Sequence, residues 1–138
     1  MAELSVPAAQ AILADNFAAW VQDLGLSVES VGTGAALLRM PYSERLVRVG
    51  GTISGQALMS AADTAMVIAL SGSFGGFKPV TTVSLNVTFM RPIASQDVLV
   101  DARVLRLGKT LAFGEITLRG AKDDKVAAHA TTTYAILN

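Results

Sequence analysis

The stretch Gly50-Gly51-Thr52-Ile53-Ser54-Gly55-Gln56 opens an apolar run from Ala57 to Leu70 that holds a single acid, Asp63, in its interior. The run has the length of a core helix, with Thr52 and Ser54 available as caps and Ser71-Gly72 as the expected stop. At about 100° per residue, Gln56, Ser60, Asp63, Thr64 and Ser71 share one side. Leu58, Ala61, Ala65, Ile68 and Ala69 cover the other. Small side chains on the core side let a helix lie close to a sheet, so the expectation is a central helix wrapped by strands. Asp63 reads in two ways. It is a structural acid, bonded to a neighbour or facing solvent, or it is a base made by burial in an apolar setting.

A chain of 138 residues is expected to form one domain, residues 1–138, and to bury about two-thirds of its unfolded surface. The absence of Cys excludes a disulfide framework, a thiolate metal site and a cysteine nucleophile. One His leaves little for metal binding, and neither metal nor cofactor is expected. Eleven basic residues balance 11 acidic ones, so no long-range field favours nucleic acid. The first basic residue is Arg39, which lacks the positive start of a signal peptide and points to the cytoplasm. The apolar run falls short of the roughly 20 residues a membrane span needs, so no membrane partner is expected. Yet 51% of residues are hydrophobic and only 16% charged, a balance that suits subunit interfaces.

Along the chain, Ser5 with Pro7 starts a helix in which Leu13, Phe17, Trp20, Val21 and Leu24 recur until Gly25. Such a helix packs on the core or forms a lid, with Phe17 and Trp20 as core or as pocket lining. Strands are expected at 26–31 and 35–40, joined by Gly32-Thr33-Gly34. The segment 42–49 then brings Arg45 and Arg48 to the start of the central helix. Gly72-Ser73-Phe74-Gly75-Gly76 is a flexible connection, and four strands follow. In the first, Val83, Leu85, Val87 and Phe89 alternate with Thr82, Ser84, Asn86 and Thr88. The second covers 98–107. In the third, Leu111 and Phe113 share one parity and Ile116 and Leu118 the other, which suggests a bulge at Gly114. The last, 126–137, closes the sheet. The fold class is α+β, one antiparallel sheet around one long helix.

Nucleotide-binding and serine-hydrolase signatures are absent. His129 lies mid-strand and reads as a surface or interface residue. There remain one carboxylate and a glycine-led helix start, whose N–H groups at Gly55 and Gln56 point outward with the positive end of the dipole and suit a developing oxyanion. A thioester fits this sparse equipment, because a thiol with pKa about 8.5 departs as thiolate without a general acid. Gly55 and Asp63 lie eight residues apart, roughly 12 Å along the helix axis, too far to share one carbonyl group. They would meet only across two chains, with two such helices antiparallel along the polar seam.

The segments Gly51-Thr52-Ile53-Ser54-Gly55-Gln56-Ala57-Leu58, Asp63-Thr64-Ala65, Phe89-Met90-Arg91-Pro92 at the end of 83–92, Gly108-Lys109-Thr110-Leu111-Ala112-Phe113 and Ala128-His129-Ala130-Thr131 carry a likeness from about Gly25 to the end. Together they resemble the hotdog-fold acyl-CoA thioesterases of the phenylacetate-degradation type, within the 4-hydroxybenzoyl-CoA thioesterase superfamily. The resemblance implies a homodimer of hotdogs, paired into a dimer of dimers, that hydrolyses acyl-CoA without metal or cofactor. It implies Asp63 as general base or nucleophile, Gly55 N–H as oxyanion donor and Thr82 as the hydroxyl that holds the attacking water. Lys109 and Thr110 match the turn that meets the CoA moiety. Independently, Arg91, Arg103, Arg106 and Lys109 outnumber nearby Asp97 and Asp101, a footing for phosphates or a solvated strand edge. The chain departs from the family pattern in having Ser54-Gly55-Gln56 for His-Gly-Gly and Arg48 for an Asn. Arg48 either attracts the thioester oxygen or water, or pairs with Asp63. Gln56 adds bulk near the oxyanion site. The rival readings are an acyl-CoA-binding protein of low turnover and, last, a hydratase or dehydratase.

Overall fold

The computed structural model describes residues 3–137. Its helices are α1 (Val6–Asn16), α2 (Ala19–Gln22) and α3 (Gly55–Phe74), and its strands are β1 (Ser27–Gly32), β2 (Ala35–Met40), β3 (Val80–Phe89), β4 (Val98–Leu107), β5 (Leu111–Gly120) and β6 (Val126–Ile136). The strands form one antiparallel sheet in the order β1-β2-β4-β5-β6-β3, with α3 packed on its inner face. The expected α+β architecture is therefore present. The last strand does not close the sheet, however. It lies inside, and β3 forms the edge.

Seating α3 on the sheet depends on small residues. Ala61, Ala62, Ala65 and Ala69 are fully buried, as is Ile68 beside them, and Leu58 is buried as well. A methyl group at Gly114 would strike the end of Met66 and come within 2.8 Å of the Arg103 carbonyl oxygen, and one at Gly72 would collide with the Gly32 carbonyl oxygen. Gly72 thus lies inside the helix because the chain passes close to β1, and it is no stop signal. The helix runs on to Phe74 and ends at Gly75 with φ 75°, whose N–H bonds the Ser71 carbonyl. At 20 residues α3 has the length and apolar composition of a membrane span, but 67% of an 18-residue apolar stretch within it is buried inside this fold.

Four other expectations are corrected. The first helix breaks at Phe17-Ala18, where both residues turn extended, and the Gln22 amide caps the break by donating to the carbonyls of Leu13, Ala14 and Phe17. The expected polar seam on α3 is narrower. Thr64 and Ser71 are buried and return their hydroxyls to the carbonyls of Ser60 and Val67, a local bond that satisfies a buried Oγ. The bulge near Gly114 belongs to β4, where Leu105 is the extra residue. Ala112, Gly114, Ile116 and Leu118 then alternate inward without a slip. Finally, Val83 leaves the face of Leu85, Val87 and Phe89 because the β3–β6 register shifts between Thr82 and Ser84, leaving Val83 59% exposed.

The two sheet edges differ. β1 is short, carries Glu29 and is bulged there, which protects it. β3 is ten residues long without a charge or proline. Beyond the sheet, the Asp97 carboxylate ties the segment after β2 to the start of β4, accepting from the Tyr42 N–H at 2.7 Å and from Arg39 at 3.0 Å.

Two outcomes follow for stability. Gly72→Ala should lose roughly 1–3 kcal/mol in urea or thermal unfolding, because the clash with Gly32 outweighs a helix-propensity gain of about 1 kcal/mol. The Tyr42 N–H, followed by Arg39, holds the Asp97 carboxyl below its ordinary range against the opposing effect of burial. A depressed carboxyl stabilises the fold above its unfolded pKa of about 3.9 and ceases to do so as pH falls through the folded value. Asp97→Asn should therefore be less stable than the parent at neutral pH, and the gap should close as unfolding is measured below about pH 4.

Candidate active site

Asp63 lies in the middle of α3, half-buried, where the helix faces the edge of the sheet. Its carboxylate needs donors, and the paired strands β3 and β6 supply them. Thr82 at the start of β3 and Tyr134 near the end of β6 are cross-strand partners. The Thr82 hydroxyl donates to Asp63 Oδ1 at 2.8 Å. The Tyr134 hydroxyl also donates to Oδ1 and lies 2.7 Å from the Asp63 main-chain oxygen. The register shift after Thr82 makes this possible. Without the extra residue at Val83, Thr82 would share the outward parity of Ser84. Burial, reinforced by the Asp63 charge and the bond to it, pushes the Tyr134 phenol far above its ordinary range, with the Thr82 hydroxyl opposing. Tyr134 thus stays a protonated donor at any working pH.

The helix start is built separately. Ser54 Oγ accepts from the Ala57 N–H at 3.2 Å, so that of the two candidate caps, Thr52 and Ser54, it is Ser54 that caps α3. The N–H groups of Gly55 and Gln56 find no acceptor among the described residues. Gly55 opens onto a groove of about 350 Å³ lined by Arg48, Leu58, Phe89 and Arg91, with the Phe89 ring 3.4 Å from where a Gly55 Cβ would stand. Gln56 faces another groove, of about 520 Å³, with Trp20, Leu24, Leu46, Met59 and Ser60. Its bulk therefore lies beside the Gly55 groove and not in it. Trp20 is 61% exposed at the rim of the second groove and is therefore not part of the core.

Within one chain these two halves stay apart: Gly55 sits at the Phe89 end of β3 and Asp63 at the Thr82 end. Arg48 makes no ion pair with Asp63 and stays with the Gly55 groove. The candidate phosphate-binding cations also divide. Arg91 joins Arg48 at that groove, and Arg103 stands 3.6 Å from Asp101. Arg106 and Lys109 are exposed and form no ion pair among the described residues. Register places their turn, with Thr110, at the Asp63 end of the sheet: Thr82 pairs with Tyr134, Tyr134 with Ala112, and Ala112 with Leu107. His129 lies away from this end, 3.9 Å from Glu115. No cluster of three or more His, Cys, Asp or Glu side chains suited to a metal occurs among the described residues.

Tyr134 is the member of the site that the motifs do not mark. Its trace in the sequence is parity: Ala128, Ala130, Thr132 and Tyr134 alternate, and the small residues ahead of the phenol leave α3 room to approach.

Comparison with known proteins agrees with this architecture. The family model of the thioesterase superfamily matches residues 50–127. A provisionally named esterase of Halobacterium salinarum is 37% identical over 102 residues, covering 69% of this chain and 66% of that protein. Human acyl-coenzyme A thioesterase 13 is 28% identical over 114 residues, covering 82% of this chain and 81% of the other. Among solved structures, the PaaI protein of the E. coli phenylacetic acid degradation operon superposes with a TM-score of 0.82 at 20% identity, over 96% of each chain, a likeness of fold. These relatives support thioester hydrolysis as the general reaction. A long helix capped at Ser54 and laid on a six-stranded antiparallel sheet, matched by the family model over more than half its length, makes this chain a hotdog-fold member of the thioesterase superfamily.

Proposed function

We propose that the protein is an acyl-CoA thioesterase whose site forms between two copies of the chain. The observation that carries this reading is the separation of the two equipped ends of β3: free amides and Gly55 at one, Asp63 with its donors at the other. A long edge strand with Val83, Phe89 and the following Met90 exposed invites a partner. Antiparallel pairing of β3 with its twofold copy, centred between Leu85 and Asn86, sets the Thr82 end of one protomer against the Phe89 end of the other. Asp63 and Gly55 then face one cleft from different chains. Two such clefts form per dimer, and dimers pair further into a tetramer.

In that cleft Asp63 Oδ2, which has no donor among the described residues, takes a proton from water. The hydroxide adds to the thioester carbonyl carbon, and the Gly55 N–H receives the oxyanion at the positive end of α3. Collapse re-forms the C=O bond and breaks C–S, and the CoA thiolate leaves without an acid because its conjugate thiol has a pKa of about 8.5. Arg106 and Lys109, on the turn at the Asp63 end, suit the phosphates of CoA as exposed cations. Ser54 holds the helix start in place through its cap, and Arg48 borders the groove where the carbonyl oxygen would lie.

Asp63→Asn should lower kcat with aryl and medium-chain acyl-CoAs by about 10² to 10⁴ in a free-thiol assay. Undiminished turnover would end the assignment. The capping bond of Ser54, where the family has a histidine, favours a second reading as an acyl-CoA-binding protein. Saturable binding in calorimetry with no thiol release from any acyl chain would establish it instead.

A further inference from the structure

Tyr134 is 2% exposed, and a phenylalanine would fill its space in the core equally well. The hydroxyl is therefore surplus to packing, and a buried phenol demands a partner. It reaches both the carboxylate and the main-chain oxygen of one residue, Asp63, and so fixes that side chain relative to its own helix turn. Thr82, directly across the β3–β6 ladder, donates to the same carboxylate oxygen. Two hydroxyls from adjacent strands thus converge on Oδ1, and Oδ2 receives none among the described residues.

We propose that Tyr134 is a positioning residue for Asp63: with Thr82 it ties down Oδ1, so that Oδ2 alone is presented to the reacting water. This rests on the thioesterase reading above. The two donors are not equivalent. Thr82 is exposed on the edge strand, where a partner strand can press on it, whereas Tyr134 sits in the core on an interior strand. In the single chain both hydroxyls already hold Oδ1, the phenol from the core and Thr82 from the edge. A carboxylate freed from the phenol can turn its two oxygens over, losing the alignment that proximity catalysis requires.

Tyr134→Phe keeps the ring and removes the donor. It should lower kcat about 10- to 100-fold, the value of a hydrogen bond to a charged group, while KM changes less than about threefold. In an Asp63→Asn background the same substitution should cost nothing further, since the group being positioned is gone. In the parent protein, NMR should show the Tyr134 hydroxyl proton downfield and slow to exchange, and it should move upfield in Asp63→Asn. A Tyr134→Phe enzyme with parental kcat, an equal loss in both backgrounds, or a hydroxyl resonance indifferent to Asp63→Asn would overturn the proposal. A parent enzyme insensitive to Asp63→Asn would instead overturn the thioesterase reading, leaving the hydroxyl resonance to decide whether the phenol holds Asp63.

Discussion

A carboxylate in the middle of a helix that is otherwise buried must be met by donors, and much of this fold is arranged around meeting it. The apolar face of α3 has to lie close to the sheet, which the alanines at 61, 62, 65 and 69 and the glycines at 72 and 114 allow. That close seating brings Asp63 within reach of strand side chains, and the paired residues Thr82 of β3 and Tyr134 of β6 supply the hydroxyls that meet it. The bulge at Val83 turns Thr82 inward to join Tyr134. Desolvation of a polar group is costly unless it is bonded, so the bulge and the buried phenol act together.

The same arrangement explains the edge of the sheet. Thr82 and the exposed apolar residues of β3 lie on an unprotected strand, while β1 at the far side is short, charged and bulged. One edge is closed to pairing and the other is open. In the proposed dimer, the site and the subunit contact both depend on β3, and a change that blunts this edge would disturb both.

Much of the architecture was legible in sequence because hydrophobic period and glycine chemistry act locally. The alternation of 84–89, the 33–34 turn and the Ser54 cap could be read directly, as could the core face of α3. What was not legible depended on contacts between distant segments. Gly72 reads as a stop until Gly32 is placed beside it. Leu111 and Phe113 imply a slip in β5 that the bulge at Leu105 in β4 makes unnecessary. The Gln22 amide that caps α1 leaves no local trace. For the site, Asp63 and Gly55 stand out because an acid in an apolar helix and a glycine at its start are anomalies in one dimension. Tyr134 is no anomaly in its own strand and acquires meaning only through the β3–β6 register. Arg91, grouped by sequence with Arg106 and Lys109, proves to sit at the Gly55 groove, because β3 carries its two ends to opposite sides of the sheet face.

Whether the acid and the amide of one site come from different chains is measured directly by complementation of two damaged proteins. Gly55→Pro removes the amide donor at the first position of a helix, where proline is well tolerated, and Asp63→Asn removes the acid. Differently tagged copies of the two variants, co-expressed in equal amounts and purified through both tags, should regain thioesterase activity that neither shows alone. Before tag selection the mixture should reach about a quarter of the parental activity, since half the dimers are mixed and each holds one intact site. If Asp63 and Gly55 acted within one chain, every site in the mixed dimer would carry a defect, and the purified heterodimer would stay as inactive as its parents.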